Sequence, residues 1–452
     1  LIGVPIGFAI GAATLFTLYF FSDIPLILIA QNSVAGVDSF PLMAIPFFIL
    51  AGNLMTVGGL AKRLLDFAGV CFGFITGGLS MVTTVACMFF AAISGSAVAT
   101  TSAIGSFMIP AMTEKKYDIS FSASLAAAAG TIGVIIPPSI PFVIYGVVVG
   151  ASIGDLFIAG IIPGLLMGVV LLTTCYIISK KNGYEGTGHI PTAAEVWASF
   201  KSAFWALLSP VIVLGGIYAG VFTPTEASVI AVVYSLIVGV FIYKELDFKG
   251  IYQALFGTMV VNGVTSFMIG LSMAFAIFLS MEQIPAQITE FLTGITSNKF
   301  LLLLLINLFL LLVGSLIDNI PATIILSPIL LPVVTQIGMS PITFGVVITM
   351  NLAIGFITPP YGINLFVAMA VANITMEAMI KYLVWFLLAL LEPLWDNDCC
   401  FMEGNSSKNI NQSPKIKGGF FLLSGVLLVL LVALLYPAFK SEMVQFSNDG
   451  PY

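Results

Sequence analysis

The 452-residue chain is 59% hydrophobic and 8% charged, with a mean hydropathy of +1.12 and a formal net charge of −6. A soluble domain carries roughly 25% charged residues, so most of this surface must face lipid or other protein, and nothing basic enough to hold nucleic acid is present. The only histidine, His189, sits in a polar loop, while Cys71, Cys87 and Cys175 lie inside apolar runs, which excludes a histidine-based metal or nucleophilic site.

Roughly ten runs are long enough to cross a bilayer, each needing about 20 apolar residues. The chain opens inside an apolar run, Leu1 to Phe21, without an initiator Met, so an upstream stretch, short or long, is expected. This helix ends near Asp23 outside, and a second, from about 40 to 60, brings Lys62 and Arg63 to the cytoplasm. The stretch 69–112 must return there because Lys115 and Lys116 follow. It is broken at Ser94-Gly95-Ser96, which predicts a helix feeding a re-entrant hairpin. Segment 120–150 then crosses outward and 155–179 returns to Lys180 and Lys181. Helices at 203–222 and 226–243 leave and return, and 253–281 crosses outward. A second hairpin occupies 300–337, and 341–373 crosses inward to Lys381. Of the basic residues up to 391, only Lys299 then falls outside, in agreement with the positive-inside rule.

Two distant stretches match without gaps. Pro110 through Pro138 ends T-I-G-V-I-I-P-P-S, and Pro332 through Pro360 ends A-I-G-F-I-T-P-P-Y. The topology above runs the copies in opposite directions, as in the inverted repeats of secondary transporters. Consecutive prolines lack backbone donors and push the preceding residue out of helical geometry. The helices should therefore unwind near 133–139 and 355–361. Unwound backbone at membrane depth is tolerated only where it is buried or lines a cavity. Its free carbonyls suit a small hard cation, and the half-helix that restarts there aims its positive end at an anion. A sodium ion and a carboxylate meet both demands; the simpler reading is a proline kink.

Hydroxyls concentrate at the first tip, in Ser94, Ser96, Thr100, Thr101 and Ser102, either as ligands or as small residues allowing close helix packing. The second tip, Gly314 to Pro321, carries Asp318, an ionisable group at membrane depth that marks a functional site and also reads as the cap of the next helix. Glu226 is read as a helix start, with Thr225 as cap.

With these motifs in view, the chain resembles the large membrane subunit of the tripartite ATP-independent periplasmic (TRAP) transporters over about residues 1–391. The likeness rests on G-V-P-I-G-F-A at 3–9, F-P-L-M-A-I-P-F-F-I-L-A-G at 40–52, A-I-S-G-S at 92–96, G-V-I-I-P-P-S at 133–139, F-T-P-T-E-A at 222–227, D-N-I-P-A at 318–322 and N-L-A-I-G-F-I-T-P-P-Y-G at 351–362. It implies an all-α, polytopic protein of the bacterial inner membrane with inverted repeats (roughly 40–180 and 253–391), two re-entrant hairpins and two discontinuous helices. It also implies elevator-type, sodium-coupled import of organic acids such as C4-dicarboxylates or sialic acid. The implied partners are a small four-helix membrane subunit and a periplasmic substrate-binding protein. Two sodium sites would fall on Ser94, Ser96, Gly133 and Ile136, and on Gly314, Gly355, Thr358 and Tyr361. Substrate would lie near Thr100, Thr101, Ser139, Asp318, Asn319 and Asn364. The last family-like helix, starting near Ala378, stops at Leu391; residues 392–452 form an atypical polar segment followed by an apolar helix, Phe420 to Tyr436.

Other classes fare less well. A channel needs a continuous polar pore, a membrane enzyme needs acid–base or metal clusters, and no G-x-x-x-x-G-K-[S/T] loop supports an ATP-driven pump. A stand-alone dicarboxylate symporter or an antiporter is the nearest rival.

Overall fold

A computed structural model of the protein describes residues 4–404 except residue 297. Among these, all regular structure is helical. Helices α1 (Ile6–Phe21), α2 (Ile27–Val37), α3 (Ala44–Val57, after a 3-10 turn Phe40–Met43) and α4 (Leu60–Phe72) come first. A helix–turn–helix of α5 (Gly78–Ser94) and α6 (Ala97–Glu114) leads into α7 (Ile119–Gly130), which tightens into a 3-10 turn, Thr131–Val134. Helix resumes as α8 (Ile140–Val149) and α9 (Ile153–Asn182). Next are α10 (Ala193–Tyr218), α11 (Pro224–Ile237, with a π-helical turn Val238–Ile242), α12 (Phe248–Met281) and α13 (Ile284–Ile295). The second helix–turn–helix, α14 (Lys299–Gly314) and α15 (Asn319–Gln336), leads to α16 (Pro341–Gly355), α17 (Ile363–Ala372) and α18 (Met376–Gly404).

The duplication extends well beyond the two proline motifs. Helix α15 lies 222 residues after α6 at both ends (97 to 319, 114 to 336), and α18 ends 222 residues after α9 (182 to 404). The halves exchange partners reciprocally: α8 packs against α15, and α17 packs against α6. Every residue from Phe121 to Gly130 in α7 and from Phe344 to Gly355 in α16 is buried, so the two broken helices form the centre. Alanines at 123 and 126–129 let neighbours approach α7 closely. At the periphery, α10 buries 28% of its most apolar stretch against 56% for α15, leaving α10 a face for lipid.

Several expectations need correction. Among the described residues six helices, rather than ten, are long and apolar enough to cross a membrane. The two broken helices and the arms α5 and α14 divide their apolar stretches into shorter pieces. Helices α2, α4 and α13 were not anticipated, being too short to span. Helix α4 is amphipathic, burying Leu60, Leu64, Leu65 and Ala68. Its Arg63 pairs with Glu245 at 2.7 Å and lies 3.8 Å from the Tyr243 ring centroid, fastening α4 to the end of α11. Helix α10 begins at 193 rather than 203 because Thr192 and Glu195 form a capping box. The cap ahead of Glu226 is Thr223, not Thr225, with Pro224 in the first turn. Helix α18 does not stop at Leu391 but continues to Gly404, matching the full length of α9. The segment Phe420 to Tyr436 lies outside the described residues.

Candidate functional site

Each hairpin tip rests on the break in the following helix of its own half. Ser94 ends α5, Gly95 takes a left-handed conformation (φ 62°), and Ser96 caps α6 by accepting the Ala99 N–H at 3.3 Å. Ile140 N–H, at the start of α8, donates to Gly95 O at 3.1 Å. A side chain at Gly95 would sit 2.8 Å from Pro138 O, so glycine serves both the turn and the approach. In the second half Tyr361 N–H donates to Ser315 O, again at 3.1 Å. Both breaks carry a cis proline–proline bond, Pro137–Pro138 and Pro359–Pro360.

The first tip gathers neutral oxygens. Ser94 Oγ lies 3.0 Å from Thr100 Oγ1, which donates to Ser96 O at 2.8 Å. Gly133 faces this cluster, where a Cβ would stand 2.5 Å from Thr100 Oγ1 and 2.6 Å from Ser96 O. Thus Ser94, Ser96 and Gly133 come together, and Thr100 belongs to their cluster. Ile136 is not brought into contact with them: its side chain lies against Gly164 of α9, and its N–H donates to Ile132 O at 3.1 Å. In the second half the backbones of Gly314 and Gly355 touch, a Cβ on Gly355 falling 2.5 Å from Gly314 O. Thr358 Oγ1 donates to Ile354 O at 2.9 Å, and Thr358 N–H donates to Gly355 O at 3.0 Å.

Hydroxyl and carbonyl oxygens of this kind are hard donors that fit an alkali cation. Among the described residues no three His, Cys, Asp or Glu side chains gather for a metal ion. Asp318 is the one acidic residue in the tips and breaks, and no basic residue occurs there. It caps α15, its Oδ1 accepting Ile320 N–H at 3.4 Å, and corresponds to Ser96 across the 222-residue offset.

The six expected substrate residues fall into different roles. Thr101 Oγ1, Asn319 Nδ2 and Asn364 Oδ1 are buried without a protein partner, an arrangement native proteins seldom keep without a function. Asn319 Oδ1 accepts the Thr323 hydroxyl at 2.8 Å, leaving the amide hydrogens free. Ser139 is instead committed to structure: its hydroxyl donates to Val134 O at 2.6 Å and accepts Phe142 N–H at 3.3 Å, capping α8. Replacing Ser139 with alanine is expected to destabilise the protein by about 1 kcal/mol in thermal unfolding while leaving the substrate KM unchanged. A raised KM at unchanged stability would return Ser139 to the substrate site. Sequence reasoning missed the cross-half bond of Asn364 Nδ2 to Ala127 O at 3.1 Å, and no local motif announces it.

The family model described as "Tripartite ATP-independent periplasmic transporter, DctM component" matches residues 1–395. An isethionate TRAP transporter permease protein, DctMQ, from Oleidesulfovibrio alaskensis is 44% identical over 393 residues, 87% of this chain and 62% of that protein. This chain therefore spans less than two thirds of that relative's length. The sialic acid TRAP transporter large permease protein SiaM of Vibrio cholerae is 39% identical over 87% of this chain and 91% of its own. The C4-dicarboxylate large permease protein DctM of Pseudomonas aeruginosa is 41% identical over 78% and 83%. Among solved structures, the YdaH transporter of Alcanivorax borkumensis aligns with a TM-score of 0.61 at 14% identity, covering 87% of this chain and 89% of that one. That likeness concerns the fold.

Proposed function

Since this chain belongs to the DctM-component family of the tripartite ATP-independent periplasmic transporters, we propose that it is the sodium-coupled translocating subunit of an importer of small organic acids. The family consists of multi-pass inner-membrane permeases, and the chain is a transport component rather than an enzyme. The observation that carries the reading is the paired docking of tip on break, with Ile140 N–H on Gly95 O and Tyr361 N–H on Ser315 O. Each dock sets neutral oxygens beside the start of a half-helix, so a cation and an anion find complementary charge within a short distance. The unpaired Thr101 Oγ1, Asn319 Nδ2 and Asn364 Oδ1 offer hydrogen bonds to a substrate.

In this reading the helices α5–α9 and α14–α18 form the moving body, and the tips enter the membrane from opposite sides. Sodium entering down its gradient supplies about 2.3 kcal/mol per charge for each 100 mV, plus the concentration term. A small four-helix membrane subunit completes the membrane part, and a periplasmic binding protein delivers the acid. Isethionate, sialic acid and C4-dicarboxylates, the substrates in the relatives' names, are the acids to try first.

Uptake of radiolabelled acids into proteoliposomes tests the reading, with the chain and its small subunit reconstituted under an imposed sodium gradient. Uptake is expected only with both sodium and the binding protein. Uptake indifferent to sodium would sink the coupling, and sodium-driven uptake without the binding protein would identify a stand-alone carrier.

A further inference from the structure

We propose that Asn364 is a positioning residue that couples the two broken helices, so that the ion sites at the two breaks respond together; this deepens the sodium-coupled reading and rests on it. Asn364 lies in the first turn of α17 and is fully buried. Its Nδ2 reaches into the other half and donates to Ala127 O at 3.1 Å. That direction is fixed chemically, because a carbonyl can only accept. Its backbone N–H donates to Phe356 O at 3.1 Å, within the break of its own half. One residue thus holds main-chain groups at both breaks.

The carbonyl it reaches is one that the first break has released. In an uninterrupted helix Ala127 O would accept Thr131 N–H. Here α7 tightens into the 3-10 turn, and Thr131 N–H turns to Ala128 O and Ala129 O. A buried carbonyl left without a donor is costly, so the amide of Asn364 stabilises α7 in its broken form. Gly130 and Gly133, which follow directly, abut Thr101 Oγ1 and the Ser96–Thr100 cluster. Any shift of α17 that withdraws the amide therefore acts on the first ion cluster, and any closing of α7 acts back on α17. The first half does not repeat this bond at the equivalent position, which is Phe142. Two other side-chain bonds to main chain join the halves, Ser124 Oγ to Met379 O at 3.1 Å and Tyr145 OH to Pro341 O at 2.7 Å, but neither donor also bonds the main chain of the second break, as Asn364 does.

Asn364→Leu preserves size and removes the donor facing Ala127 O; Asn364→Ala serves if the first variant does not fold. Two readouts decide. In proteoliposomes the sodium dependence of uptake is expected to be sigmoidal for the wild type and to flatten in the variant toward a Hill coefficient of about 1. In the purified protein without sodium, hydrogen exchange in the peptide covering 127–139 is expected to accelerate although the substitution lies in α17. A raised substrate KM with unchanged Hill coefficient and unchanged exchange in 127–139 would overturn the proposal and make Asn364 a substrate contact only. If wild-type uptake ignores sodium, the sodium reading falls by itself, and the exchange measurement alone decides whether Asn364 joins the two breaks.

Discussion

Replacing Gly355 with alanine is expected to lower sodium-driven uptake by on the order of 100-fold while the protein still assembles. The added Cβ would lie 2.5 Å from Gly314 O and 2.6 Å from Gly314 Cα. Both neighbours are backbone, so no rotamer change relieves the overlap. Ordinary contact requires α14 and α16 to separate by about 1 Å, a strain of roughly 1–3 kcal/mol. That separation shifts the carbonyl of Gly314 and the Gly355 carbonyl that accepts Thr358 N–H. Gly263→Ala is the matched control, since a Cβ there meets nothing within 4 Å. Initial uptake rates against sodium concentration, corrected for the amount of reconstituted protein, provide the measurement. Wild-type sodium affinity in Gly355→Ala would remove Gly314 and Gly355 from the proposed ion site.

Asp318→Ala is expected to reduce uptake by a similar factor, and the reason can be separated from capping. A good N-cap contributes about 1 kcal/mol, less than a tenfold change in rate. This cap is a long one, at 3.4 Å to Ile320 N–H, and stands at the weak end of that range. A hundredfold loss corresponds to about 2.7 kcal/mol, more than the cap supplies. Asp318→Ser completes the test, because serine is the residue found at the equivalent tip position, Ser96. It keeps a capping oxygen and removes the carboxyl group. Uptake as low in the serine variant as in the alanine variant assigns the loss to the carboxylate. Recovery in Asp318→Ser would make Asp318 a cap and no more.

Much of the geometry of the tips and breaks was legible because its signals are local. Pro137-Pro138 and Pro359-Pro360 must interrupt a helix wherever they fall, and the breaks lie where the prolines place them. Ser94-Gly95-Ser96 marked the first turn for a similar reason: a glycine in a left-handed conformation followed by a capping serine. The short helices α2, α4 and α13 were illegible because a count of apolar residues finds only runs long enough to span. The end of α18 was obscured by the polar composition after Leu391, whereas its length follows from its correspondence with α9.

By itself, the sequence determined a multi-pass helical protein, duplicated, with two helices broken at double prolines. Each of these follows from composition, spacing or the missing donors of proline, which act over a few residues. Only the tertiary structure decided which groups meet. It set Thr100 against Ser94 and Ser96 O, turned Ser139 to capping, pressed Gly314 on Gly355, and brought Asn364 to Ala127, 237 positions away in the chain. Contacts of this kind depend on how two buried halves interlock, α8 on α15 and α17 on α6. That geometry is set by close packing across the whole core, and no local pattern of residues encodes it.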